Sequence, residues 1–250
     1  MPESLARRNA AEVPLRGELR YGLELARLAA AREFLRPPRA THAAPVMLIP
    51  GFLAGDQSLA VLRGWLRRRG SRTASAGVWL NVDCAERALS GMERRLERLA
   101  ERSGRRVVLI GQSRGGELAR VLAVRRPDVV STLLMLGSPV LDPLDIGSPV
   151  LRAVRSVARL GDLGVPRMFS TRCAEGECCA AFRQDLQAPM PAAVEAVAIY
   201  SRSDGVVSWK ACLDPHARHV EVVSSHGGMS VNWAVYRVIA EALAQAEGSR

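Results

Sequence analysis

Short, continuous apolar runs alternate along this chain with segments whose apolar residues return every three or four positions. The runs are "VMLIP" (46–50), "RRVVLIG" (105–111), "VVSTLLMLGSP" (129–139), "VEAVAIYSRSDG" (194–205) and "HVEVVSSHGG" (219–228), with a further strand edge expected in "ASAGVWLNV" (74–82). Unbroken apolar runs of this length predict strands buried on both faces. The segments between them, 56–70, 84–104, 114–127 and 231–248, have the period of amphipathic helices. "CAERALSGMERRLERLAERSG" closes on the Ser-Gly expected of a helix stop. Strand and helix in regular alternation predict an α/β fold: a doubly wound, mostly parallel sheet with helices on both faces.

Two regions break the rhythm. Residues 1–44 form an N-terminal helical extension built on "GELRYGLELARLAAAREFLR" and ended by "PPR", with Leu19, Leu23, Leu28 and Phe34 as its apolar face. It is expected either to pack on the domain at 45–250 or to act as an arm for a membrane surface or partner. The second region, about 141–191, is rich in Pro and Gly and carries the helical candidate "SPVLRAVRSVARLGDLG". It is expected to be a helical and irregular cap over the carboxyl edge of the sheet, where open α/β folds bind ligands. Val150, Leu151, Val154, Val157 and Leu160 would there line an apolar pocket or a lid, or pack on the sheet.

Length and composition narrow the field. A chain of 250 residues with 48% hydrophobic content suits one core-bearing domain. No run approaches the roughly 20 apolar residues of a membrane span, and the first residues lack the apolar stretch of a secretory signal. A cytoplasmic protein with peripheral membrane contact is expected. The net charge of +10 does not point to nucleic acid. The arginines interleave with Leu and Glu, as solvated helix faces do, and no aromatic stripe accompanies them. Lys210 is the only lysine.

The five cysteines are Cys84, Cys173, Cys178, Cys179 and Cys212. "CAEGECC" lacks the paired CxxC spacing of a structural zinc site. Free thiols, or a disulfide joining one of Cys173, Cys178 and Cys179 to Cys212, are the expectations here.

The chemistry concentrates at "VVLIGQSRGGELARV", where a strand pattern runs directly into a helix pattern at Ser113, with Gly111 and Gly115 two residues to either side. That is the GxSxG arrangement of a nucleophile elbow, in its required strand–turn–helix context. A serine hydroxyl needs a base. Of four histidines, His226 follows a strand and precedes a helix, at the sheet edge where Ser113 emerges; His42, His216 and His219 precede theirs. The base needs a carboxylate: Asp204 follows a strand and lies between Ser113 and His226 in chain order, with Asp142 and Asp145 as competitors. The oxyanion donors fall to the backbone N–H of Arg114 and to Phe52 in "IPGFLAGDQS", with Leu53 as the alternative.

With "LIPGF", "GQSRGG", "LGSP", "YSRSDGVV" and "SSHGGM" in this order, the chain resembles the α/β-hydrolase superfamily, in particular its bacterial serine esterase and lipase branch. The resemblance covers Pro45 to the C-terminus. It implies Ser113 as nucleophile, Asp204 as acid, His226 as base, Phe52 and Arg114 as oxyanion hole, a small-molecule or lipid ester as substrate, and no cofactor or metal. Two positions depart from the common pattern: Pro50-Gly51, where relatives often read His-Gly, and Gln112, where many carry His. An acyltransferase or amidase would use the same residues, and a non-catalytic binding protein would keep only the scaffold.

Overall fold

A computed structural model describes residue 5 and residues 9–248, so the outer ends of the 1–44 and 45–250 segments lie outside the described residues. The chain opens with α1 (Tyr21–Ala30) and α2 (Arg32–Leu35), followed by β1 (Val46–Ile49) and α3 (Ala60–Arg68). Next come β2 (Thr73–Ser75), α4 (Ala85–Ser103), β3 (Val107–Gln112), α5 (Arg114–Arg125) and β4 (Val130–Leu136). Three helices then occupy the cap: α6 (Ser148–Asp162), α7 (Thr171–Glu175) and α8 (Ala180–Gln187). The chain closes with β5 (Glu195–Tyr200), β6 (Arg218–Glu221) and α9 (Trp233–Gly248). The six strands form one sheet in the order β2-β1-β3-β4-β5-β6, and every pairing is parallel.

Parallel strands must cross over between pairings, which places helices on both faces and buries both sets of side chains. The alternation is visible strand by strand. Met47, Ile49, Val107, Leu109, Leu133 and Met135 enter a core shared with α4, α5 and α8. Their neighbours Leu48, Val108, Ile110 and Leu134 enter a second core shared with α1, α3 and α9. On α4 the inward stripe is Leu89, Met92, Leu96 and Leu99, the three-and-four spacing that periodicity predicts. Gly104 (φ +65°) ends it in the left-handed region.

Two expectations are corrected. The strand anticipated in 74–82 spans only Thr73–Ser75. After Ala76 donates to Leu48 O, Gly77 (φ +80°) turns the chain away, and 78–82 becomes an irregular brace. Its Trp79 is 86% exposed, whereas the buried Asn81 donates to Pro50 O at 2.7 Å. The apolar face assigned to the N-terminal helix is also different. Leu28 is fully buried and Phe34 half-buried, but Leu19 and Leu23 face solvent. What α1 turns inward beside Leu28 is a carboxylate, Glu24.

Because all strands are parallel, the loops after β1, β3, β4, β5 and β6 leave from one edge of the sheet. Those loops carry Phe52, Ser113, Gly137, Asp204 and His226.

Candidate active site

Ser113 joins β3 to α5 with φ +53° and ψ −129°. That backbone conformation is costly for a residue with a Cβ, of order 1–3 kcal/mol, and the packing around it explains how it is held. A Cβ at Gly115 would run into the carbonyl oxygens of Ile49 and Pro50, and one at Gly111 into the backbone of Gly115 and Gly116. Only glycines let β1, β3 and α5 approach this closely. The Ser113 N–H donates to Leu136 O at 2.8 Å, which fixes the turn against the end of β4.

Asp204 and His226 meet directly. His226 Nδ1 donates to Asp204 Oδ2 at 2.7 Å, and both side chains are largely buried. The other carboxylate oxygen, Oδ1, accepts the N–H groups of Val206 and Val207, each at 2.8 Å. A carboxylate held by two backbone donors has one orientation, and its free oxygen assigns the Nδ1–H tautomer to the imidazole. Gly137 (φ +56°) passes beneath the pair: a Cβ there would lie 3.1 Å from Asp204 Oδ2 and 3.2 Å from His226 Nδ1. Since Gly137 follows the residue that anchors the Ser113 backbone, the serine turn and the Asp204–His226 pair share the end of β4. The competing carboxylates lie elsewhere in the hydrogen-bond pattern. Asp142 caps the N–H of Leu144, and the Asp145 backbone serves Ser208. The other histidines are equally apart: His219 Nε2 bonds to Asp214 O, and His42 meets Arg105 through its carbonyl.

Three supports were not apparent from sequence. Gln112 Nε2 donates to His226 O at 3.0 Å, tying the residue before Ser113 to the histidine loop. Ser201 Oγ accepts the N–H of Ser224 and donates to Ser224 O, so the Asp204 and His226 loops are clamped at their bases. The third support comes from the N-terminal helical segment. Glu18 Oε1 accepts the N–H groups of Gly205 (2.9 Å) and His226 (2.7 Å), and its Oε2 accepts that of Gly227 (3.2 Å). Six residues further on, Glu24 accepts both the N–H and the hydroxyl of Ser225. Two carboxylates from 17–28 therefore hold the loops that carry the acid and the base. The single sequence signal for this was a pair of acids at 18 and 24, six residues apart in the N-terminal segment.

Burial alone would pull His226 down, but the Asp204 charge and hydrogen bond, with Glu18 adding to them, raise it above its ordinary 6.5. Glu117, buried on the first turn of α5, is pushed by desolvation up to about 7, although the Arg114 charge opposes this.

On the opposite side of Ser113, a Cβ at Gly51 would lie 3.2 Å from Ser113 Cβ and 3.8 Å from its Oγ. The loop after β1 therefore presses against the serine. Among the described residues the N–H groups of Phe52 and Leu53 make no backbone hydrogen bond, and that of Arg114, at the first position of α5, has no acceptor within its helix. Leu53, at φ +56°, turns its side chain to solvent, whereas Phe52 faces the cavity and leans on Phe169.

That cavity has a volume of about 300 Å³ and opens beside Ser113. Its walls are mainly apolar: Phe52, Ile146, Val150, Val154, Phe169 and Phe182. The cap residues singled out in sequence divide here. Val150 and Val154 line the cavity, Leu151 and Val157 are buried in the cap's core, and Leu160 is largely exposed. The Arg114 guanidinium stacks 5.0 Å above the Phe169 ring and donates to Asp83 O. All five cysteines are free, and the disulfide expectation to Cys212 is corrected: that thiol is buried beside Ser208 O.

No protein-family profile matches the chain, and no curated protein matches it. Solved structures do. The mature lipase BlEst2 of Bacillus licheniformis superposes with a TM-score of 0.62 at 14% identity, over 83% of this chain and 94% of that one. A hydrolase of the α/β superfamily from Oenococcus oeni gives 0.51 at 14% identity, over 80% and 93%. The chain has the α/β-hydrolase fold. A structure described with the metagenome-derived lipolytic enzymes LipS and LipT gives 0.56 at 17% identity, over 83% and 95%. At these identities the likeness concerns the α/β-hydrolase fold. Among the described residues, no helix is long and apolar enough to cross a membrane.

Proposed function

We propose that this protein is a serine hydrolase that cleaves carboxylic esters carrying an apolar acyl group. The observation that carries the reading is the buried Asp204–His226 pair, set at the same sheet edge as the strained Ser113, which itself borders an apolar cavity. In this reading His226 Nε2 takes the Ser113 proton as the hydroxyl attacks the ester carbonyl. Asp204 stabilises the imidazolium, and the N–H groups of Phe52 and Arg114 receive the oxyanion. The alcohol leaves with the proton from His226, and water attacks the acyl-enzyme by the reverse route.

The cavity supports the substrate class. Its volume lies at the lower end of the roughly 300–1,000 Å³ typical of small-molecule sites, which suits a short or medium acyl chain better than a whole lipid. The exposed Trp79, Leu80 and Leu163 favour contact with a lipid surface as the source of such esters.

Turnover of p-nitrophenyl esters of increasing chain length, with fluorophosphonate labelling of the intact protein, tests the proposal. Labelling at Ser113 that disappears in Ser113→Ala, with a rate optimum at short or medium chains, is the expected result. Well-folded protein that neither labels nor turns over any ester would refute it.

A further inference from the structure

Four of the five thiols gather at one point. The Sγ atoms of Cys84, Cys173, Cys178 and Cys179 all lie within 4.8 Å of one another. Cys84 and Cys179 are 3.4 Å apart, and Cys178 and Cys179 are 3.9 Å apart. Cys84 comes from the sheet side, immediately before α4, and the other three come from the cap, on α7 and the turn before α8. Spacing along the chain concealed this, because CxxxxCC alone supplies three sulfurs in an unfamiliar pattern and the fourth lies 89 residues earlier.

We infer that these four cysteines form a structural zinc site, a tetrahedral tetrathiolate that fastens the cap to the sheet domain. Four sulfurs at about 2.3 Å from a tetrahedral Zn²⁺ stand roughly 3.8 Å apart, and the observed separations bracket that value. Sulfur-only coordination in a tetrahedron favours zinc over the hard cations, which require oxygen ligands.

The surroundings suit bound thiolates. The Ser170 N–H donates to Cys173 Sγ at 3.4 Å and the Glu86 backbone N–H to Cys179, the kind of N–H···S bond that orients metal-bound sulfur. Four thiolates around one Zn²⁺ leave a net charge of −2. The guanidinium groups of Arg87 and Arg114 interact electrostatically with Cys84 and Cys173. Arg183 holds the carbonyls of Cys173 and Gly176, bracing the loop from behind. Binding releases the thiol protons to solvent and involves no redox step.

Location gives the site its purpose. Cys173 and Cys179 also line the cavity beside Ser113, so the metal would set the position of the cavity's cap wall. Among the described residues the cap adds three helices but no strand to the sheet, and a metal cross-link reinforces so small a core.

The test uses the full chain, purified under reductant without chelator. Elemental analysis is expected to find one zinc per chain. Alkylation of the native protein should spare the four cluster cysteines, Cys178 included although it is exposed, and should modify them once a chelator has removed the metal, whereas Cys212, buried and outside the cluster, should react only on unfolding. Replacing zinc with Co²⁺ should produce the sulfur-to-metal charge-transfer bands and visible d–d bands of a tetrahedral sulfur site. This measurement needs no variant and is unaffected if a variant misfolds. Cys84→Ser and Cys179→Ser should each lose the metal and lower the melting temperature, whereas Cys212→Ala should keep it. Stripped, reduced protein that takes up neither Zn²⁺ nor Co²⁺ would overturn the proposal. So would peptide mapping that finds disulfides among the four, in protein that binds no metal after reduction.

Discussion

His226 Nδ1 donates to Asp204 Oδ2 at 2.7 Å, while Asp204 Oδ1 is occupied by the N–H groups of Val206 and Val207. The carboxylate is therefore locked with one oxygen on the backbone and one on the imidazole. In Asp204→Asn the amide oxygen would keep the backbone bonds and the NH₂ group would face Nδ1, forcing the tautomer that cannot accept a proton from Ser113. On the proposed mechanism, kcat should fall by about 10³–10⁴-fold with little change in KM, and the fold should be retained. Steady-state kinetics on the preferred ester, with circular dichroism for folding, measures both. A variant within tenfold of the parent would remove Asp204 from the reaction.

The second expectation concerns Glu18, which touches neither Ser113 nor the cavity but accepts N–H groups from both loops that carry the acid and base. It also adds to the raised pKa of His226. The base works only when neutral, so kcat/KM should fall with decreasing pH through a value above 6.5. In Glu18→Gln one of the charges that favour the imidazolium is gone, and the acid limb should move to lower pH. The loss of rate at the plateau should be about tenfold, since a carboxamide keeps some of the backbone bonds. A role confined to stability would lower the melting temperature and leave the pH profile in place.

These two residues show what was legible beforehand. Ser113, Asp204 and His226 could be read because each follows a strand pattern, and parallel strands send all such loops to one edge. Side-chain chemistry plus chain order was then enough to choose among candidates. Glu18 could not be read in this way. Its partners lie about 190 to 210 residues away, and no periodicity encodes a contact of that range. The apolar face drawn from Leu19 and Leu23 failed for a related reason. The segment packs on loops whose N–H groups have Glu18 and Glu24 as their acceptors, so its inner face had to be acidic as well as apolar. The cysteine cluster was hidden by the same long-range pairing, between Cys84 and the cap.

Glu117 offers a test by pH. Its carboxyl is pushed by burial up to about 7 from an ordinary 4.5, so the folded state holds the proton more tightly than the unfolded chain does. Stability is accordingly undiminished below about pH 4.5, declines as pH rises towards 7, and is lower by a constant amount above it, of order 3 kcal/mol. Glu117→Gln cannot ionise and should escape this loss. Melting curves of the two proteins should coincide near pH 4.5 and separate by pH 8, with the variant the more stable. Equal melting temperatures at both pH values would show that Glu117 is charged at no cost in the fold.

Away from the site, Arg120 and Asp214 form an almost wholly buried ion pair between α5 and the loop before β6. Arg120 Nε meets Asp214 Oδ2 at 2.6 Å, and Nη2 meets Oδ1 at 3.3 Å. The same guanidinium donates to the carbonyls of Asp185 and Ala188 at the end of α8. Removing one partner strands a buried charge, so Arg120→Ala should cost about 3–5 kcal/mol. At roughly 2–4 °C per kcal/mol for a chain of this size, the melting temperature should drop by about 6–20 °C. Replacing both residues with apolar ones of similar volume usually restores stability. Here it should do so only in part. Arg120→Met with Asp214→Leu leaves the carbonyls of Asp185 and Ala188 and the His216 N–H without their partners. The double variant should therefore melt between Arg120→Ala and the parent. Full recovery would mean that the two carbonyls find other donors and that the ion pair alone accounts for the cost.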